Sequence, residues 1–230
     1  MIRHRSIDAR LARIALTIAL TVGAHPTAVL AGYSFDPGTD YLTAATNYPR
    51  WAALIARHDT QTAELDACVA DPSQCPSPLK GFREIVVAGA TLDAEQKMHL
   101  ANRFINRRRW SIEPYRTDDW RTLDEFLRRG GDCEDFALAK YFLLRRLGFS
   151  IDDMRVAITW DRQVGYYHAV TLVHLDGRVY VLDVNGPPRL GQSSYRFLFS
   201  INESGVWDHA PRDPNRLAHD VHQPQGAQHL

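Results

Sequence analysis

Apolar positions recur along this chain with two successive periods. Between residues 40 and 66, Trp51, Leu54 and Ile55 recur at helical spacing among polar neighbours. Pro76 and Pro78 interrupt the pattern. Helical spacing resumes from Lys80 to Val87 and again from Asp93 to Arg108, where Met98, Leu100, Phe104 and Ile105 are apolar. A shorter helical stretch from Asp118 to Arg129 ends at Gly130-Gly131. Residues 132 to 148 give the clearest helix. Asp132 suits the N-cap, Glu134 and Asp135 the first turn, and Arg145 and Arg146 the last, and Gly148 stops it. Beyond it the period falls to two. Met154 to Trp160, Tyr166 to Leu175, Arg178 to Val184 and Tyr195 to Ile201 read as strands. Asp176-Gly177 is a strong hairpin signal. Helices first and an antiparallel sheet second predict an α+β fold with N-terminal helices packed on the sheet.

The ends of the chain depart from this pattern. Arg3, His4, Arg5, Arg10 and Arg13 precede an uncharged run from Ile14 to Ala24, and Val29 and Ala31 stand at −3 and −1 of a cut before Gly32. That is the layout of a secretory signal peptide over residues 1–31. The apolar run is about half the ~20 residues a membrane span needs. A periplasmic protein, free of the membrane once the leader is removed, is therefore expected. Residues 205–230, rich in Pro, His, Gln and Asp, read as a loose tail whose His209, His219, His222 and His229 are too scattered to suggest a metal site. One domain is left, spanning 32–204.

Composition narrows the function. Of 230 residues, 45% are hydrophobic, and 27 Lys and Arg balance 27 Asp and Glu for a net charge of zero. A balanced charge leaves no excess of basic residues to track a phosphate backbone, so no nucleic-acid partner is expected. Export also changes what the three cysteines mean. Cys68 and Cys75 flank the turn residues Asp71-Pro72-Ser73, and a disulfide there competes with two unpaired thiols. Cys133 is left over.

Cys133 stands at the start of the helix, between Asp132 and Glu134. Free main-chain N–H groups at a helix N-terminus favour a thiolate and can cradle an oxyanion. A cysteine nucleophile needs a base, and the base an orienting partner. If Asp176-Gly177 is a two-residue turn, Leu175 faces Arg178, and His168 and Asp183 become diagonal neighbours on one face of the sheet. A one-residue slip would separate them. A lone histidine in such a strand is more often core. The nearby Asp183 and the helix-terminal Cys133 favour catalysis instead. His174, beside the turn, should be exposed. Asp132, Glu134 and Asp135 crowd the thiol and would raise its pKa. Calcium held by their oxygens would relieve that conflict. Ordinary capping by Asp132 and Asp135 is the alternative.

The segments GDCEDFALAKYFLLRRLG, YYHAVTLV and VYVLD resemble the bacterial transglutaminase-like cysteine proteinases, the LapG-like periplasmic family, as does the upstream WRTLDEFLRRG. The resemblance covers roughly residues 45 to 200. It implies a papain/transglutaminase-like fold and a triad of Cys133, His168 and Asp183. It also implies calcium bound by Asp132 and Glu134, with Asp135 as a further candidate. The implied activity is cleavage of a large surface adhesin near its N-terminus, controlling biofilm release. An inner-membrane receptor that senses cyclic-di-GMP is the implied regulator. The segment between Asn106 and Trp120 is shorter than the family leads one to expect, with Asp118 and Asp119 as weak further ligand candidates. Two rivals stay open: a transglutaminase or amidase acting on glutamine side chains, and a non-catalytic calcium-binding module.

Overall fold

Both residues of the Asp176-Gly177 turn have positive φ, +51° and +71°, the signature of a type I′ hairpin. The computed structural model describes residues 35, 40–112, 119–191 and 194–209. The expected leader over 1–31, Asp118, and His219, His222 and His229 lie outside them. The strands are β1 (Tyr41–Thr43), β2 (Met154–Asp161), β3 (Tyr166–Leu175), β4 (Arg178–Leu182), β5 (Arg189–Leu190), β6 (Tyr195–Ile201) and β7 (Val206–Asp208). They form one antiparallel sheet in the order β1-β7-β6-β2-β3-β4-β5. The helices are α1 (Pro49–Ala70), α2 (Lys80–Gly89), α3 (Ala94–Asn106), α4 (Leu123–Arg129) and α5 (Cys133–Arg146). This is the α+β architecture expected from the switch in period.

Boundaries differ where a local device overrides periodicity. The helix expected from residue 40 starts at Pro49, whose fixed φ and missing N–H suit the first helical position. The stretch before it forms β1 and a short 3₁₀ turn. Helix α4 starts at Leu123 because Thr122 and Glu125 close a reciprocal capping box. The stretch read as the beginning of a loose tail instead supplies β7. Trp207 is buried there, and His209 donates its main-chain N–H to Leu198 O and pairs through Nε2 with Ser200 Oγ at 2.9 Å. Burial lowers the His209 pKa to about 4.

Helix α5 is central. Glu134 through Leu144 are all buried, so the helix has almost no solvent face. The small residues Ala137 and Ala139 lie among its buried positions, and Thr171 Oγ1 of β3 donates to Ala137 O at 2.7 Å. Cys68 and Cys75 form a disulfide that closes the loop after α1. A loop this short restricts the unfolded chain by about 2–3 kcal/mol. The Cys68→Ala/Cys75→Ala variant should lose about that much stability in urea unfolding, and reductant should destabilise only the parent protein.

Candidate active site

The turn into α5 is shaped by two glycines. Gly130 has φ +77°, and a Cβ there would lie 2.0 Å from Arg109 O. A Cβ on Gly131 would lie 2.2 Å from the Asp135 carboxylate. Their absence lets the chain run beside residues 109–111, with Gly131 N–H donating to Arg109 O at 3.2 Å and Ser111 N–H to Gly131 O at 2.8 Å. Arg121 braces the turn. Its guanidinium donates to Gly130 O at 2.6 Å and lies 3.4 Å from Asp135 Oδ2, while its main-chain N–H donates to Asp135 Oδ1 at 2.8 Å.

This turn delivers Cys133 to the first position of α5, half-buried and free of any disulfide. Its thiol donates to Glu134 Oε2 at 3.2 Å. Burial, followed by the Glu134 charge, pushes the thiol pKa up, and a hydrogen bond from Ala169 N–H opposes the rise. Ala169 follows His168 on β3, so the sulfur rests against the strand that carries the imidazole.

The hairpin register is unslipped from Leu175↔Arg178 to Thr171↔Leu182. It brings His168 Nε2 to 2.7 Å from Asp183 Oδ1, with both side chains buried. With Asp183 ionised, the ring proton sits on Nε2, which leaves Nδ1 as the basic nitrogen. Four further groups hold Asp183. Val184 N–H donates to Oδ1 at 2.6 Å and Tyr195 OH to Oδ2 at 2.5 Å, while Lys140 Nζ at 2.9 Å and Asn106 Nδ2 at 3.0 Å donate to the main-chain carbonyl. Burial alone would raise the Asp183 pKa, but the His168, Tyr195 and Val184 hydrogen bonds win and hold it at about 2. Burial and Asp183 push the Tyr195 phenol up in turn.

Cys133, His168 and Asp183 line one cleft of about 700 Å³, together with Asp132 and Tyr195. Its apolar lining includes Trp110, Ile112, Val164 and Tyr166, all exposed to solvent. His174, by contrast, stacks on Phe35 and lies 3.6 Å from Asp153.

The three acids separate into two roles. Asp132 occupies the N-cap position, but its side chain makes no capping hydrogen bond, and Oδ1 is buried without a hydrogen-bond partner. Burial and the hydrogen-bonded Asp132 beside it raise the Glu134 pKa. Asp135 is instead braced by Arg121. Among the described residues no three His, Cys, Asp or Glu side chains converge as a ready metal cage, and Asp119 is exposed. The Asp132–Glu134 pair nonetheless fits a hard cation. The buried Glu134 carboxyl and the half-buried Asp132 carboxyl lie together, and one Asp132 oxygen is left without a donor.

Sequence reasoning missed Tyr195, Lys140, Asn106 and Arg121. Each acts across a long sequence separation, and only the general need of a buried carboxylate for several donors hinted at them.

Residues 62–210 match the family model described as bacterial transglutaminase-like cysteine proteinase. The fold is similar to solved structures of Legionella pneumophila LapG. Its calcium-bound form is 22% identical, with 64% of this chain and 87% of that chain covered at a TM-score of 0.53. A second LapG structure is 23% identical, with 58% and 80% covered at 0.51, and an EGTA-treated one is 22% identical, with 60% and 81% covered at 0.53. No curated protein matches the sequence.

Because the folded-state pKa of Asp183 lies below its ordinary 3.8, its stabilising contribution is complete above about pH 4 and is lost as pH falls through 2. Urea midpoints measured between pH 4 and pH 2 should therefore fall more steeply for the parent protein than for Asp183→Asn. Parallel slopes would contradict the assignment.

Proposed function

The chain belongs to the bacterial transglutaminase-like cysteine proteinases, and we propose that it is a periplasmic, calcium-dependent cysteine endopeptidase. Its substrate in this reading is a large surface adhesin, cut near its N-terminus to release a biofilm. The observation that carries the proposal is the 2.7 Å His168–Asp183 hydrogen bond in the cleft that holds Cys133 at a helix N-terminus.

Each residue then has a defined task. Cys133 Sγ attacks the scissile carbonyl and forms the acyl-enzyme. His168 Nδ1 takes the thiol proton and returns it to the leaving amine, while Asp183 holds the imidazole tautomer and stabilises its charged form. The Cys133 main-chain N–H contributes to the oxyanion hole. Water then enters, with His168 as its base, and releases the new C-terminus. The open cleft and its exposed apolar side chains suit an extended polypeptide better than a small amide.

Calcium would be held by Asp132 and Glu134, with Asp135 beside them. Bound there, it would neutralise the crowded carboxylates and fix the turn that presents the thiol. Support comes from the partnerless Asp132 oxygen and from a structural neighbour solved with calcium. Export is supported by the layout of the first 31 residues and by the Cys68–Cys75 disulfide, which suits an oxidising compartment. An inner-membrane receptor that senses cyclic-di-GMP completes the reading as regulator.

Incubation with the N-terminal region of the host's largest secreted adhesin tests this reading. Cleavage in calcium should yield two fragments with new termini by mass spectrometry, and a calcium chelator should abolish it. Cys133→Ala and His168→Ala should each lower the rate by at least about 10³-fold while remaining folded by circular dichroism. Cleavage that persists in Cys133→Ala would sink the proteinase assignment, and cleavage that persists in chelator would sink the calcium assignment.

A further inference from the structure

Lys140 is the one fully buried lysine among the described residues, with 0% of its surface exposed. It lies seven residues, or two turns, after Cys133, so both project from the same side of α5. The ring centre of Phe136 is 5.7 Å from its Nζ. Burial drives the amine pKa down to about 7, with the Asp183 charge opposing. An apolar side chain of similar length would fill this space without stripping water from an amine, so lysine here costs stability.

The amine is aimed at one acceptor, the main-chain carbonyl of Asp183, at 2.9 Å. Strand β4 ends at Leu182, so this carbonyl lies just beyond the ladder and needs a donor from elsewhere. Asn106 Nδ2 supplies a second, at 3.0 Å. Three residues on, Gly186 O receives Asn102 Nδ2 at 2.9 Å and Asn106 Nδ2 at 3.2 Å. The segment that follows β4 is thereby tied to α3 and α5, and the Asp183 carboxylate hangs from its first residue.

We propose that Lys140 is a positioning residue of the catalytic site: by gripping the Asp183 carbonyl from the helix that carries Cys133, it fixes the aspartate against His168. The inference rests on the proteinase reading above and adds to it a link between the nucleophile's helix and the acid of the triad. A purely structural role would make Lys140 stabilising. A positioning role allows a residue that costs stability and is kept for geometry.

The test compares the full chain with Lys140→Met and Lys140→Gln, the latter retaining an N–H donor. Lys140→Met is expected to keep or raise the urea midpoint while kcat for cleavage of the adhesin's N-terminal region falls about tenfold and KM stays within twofold. The downfield proton resonance of the His168–Asp183 hydrogen bond should weaken or vanish in Lys140→Met and return in Lys140→Gln. A folded Lys140→Met with the parent's kcat and resonance overturns the proposal, and so does a midpoint that falls in step with activity. Should Lys140→Met fail to fold, the lysine is structural and the proposal fails with it. If the parent cleaves nothing, the proteinase reading fails by itself, and the resonance still judges Lys140.

Discussion

A carboxylate taken out of water keeps its charge only if donors surround it, and the Asp183 carboxylate gathers three. His168 comes from β3, Tyr195 from β6 and the Val184 N–H from the next peptide, while Lys140 of α5 and Asn106 of α3 hold the main-chain carbonyl of the same residue. The balance favours the ionised form strongly enough to hold it at about 2 despite burial. Each hydrogen bond to the carboxylate is worth a few kcal/mol at most, and together they outweigh the cost of burying the charge. The network therefore joins the stability of the sheet–helix interface to the orientation of the His168 ring.

Helix α5 shows opposite balances in its middle and at its N-terminus. Its middle is buried on every side and suits a core helix, but its N-terminus holds three acids and a thiol where ordinary capping would require only one acceptor. Asp132 sits in the capping position and leaves the helix N–H groups alone. Asp135 turns back to Arg121 and the glycine turn, and Glu134 takes the thiol hydrogen. Local stability does not explain that arrangement, and such departures from local rules concentrate where a site has to do chemistry.

Much of this was legible in the sequence because two periodicities and one turn type are short-range. Alternation gave β3 and β6 their full extents, Tyr166–Leu175 and Tyr195–Ile201, and Asp-Gly set the register that pairs His168 with Asp183. Pro49 and Thr122 moved two helix starts by the rules of capping, which a reading by apolar spacing overlooks. Strand β7 was hidden because three residues carry too little pattern; only pairing with β6 and β1 defines it. Tyr195 was read as a strand residue and no more, since the reach of its hydroxyl across the sheet depends on the order β6-β2-β3, which no local signal contains.

The division of the site between elements follows from these constraints. Cys133 lies on a helix, and His168 and Asp183 lie on and just beyond a hairpin, so their mutual placement depends on how closely α5 can approach β3. The small side chain of Ala137 allows a close approach, and Thr171 fixes it with a hydrogen bond to the Ala137 carbonyl. At the glycine turn a Cβ would drive Asp135 or the Arg109 carbonyl away and shift the start of α5. Cys133 is on a helix and His168 on a strand, so their separation is set by how these two elements pack. A cation at Asp132 and Glu134 would act on the same short turn. On this geometry such a cation would act on the charge beside the thiol, at a distance from the His168–Asp183 pair anchored from the sheet.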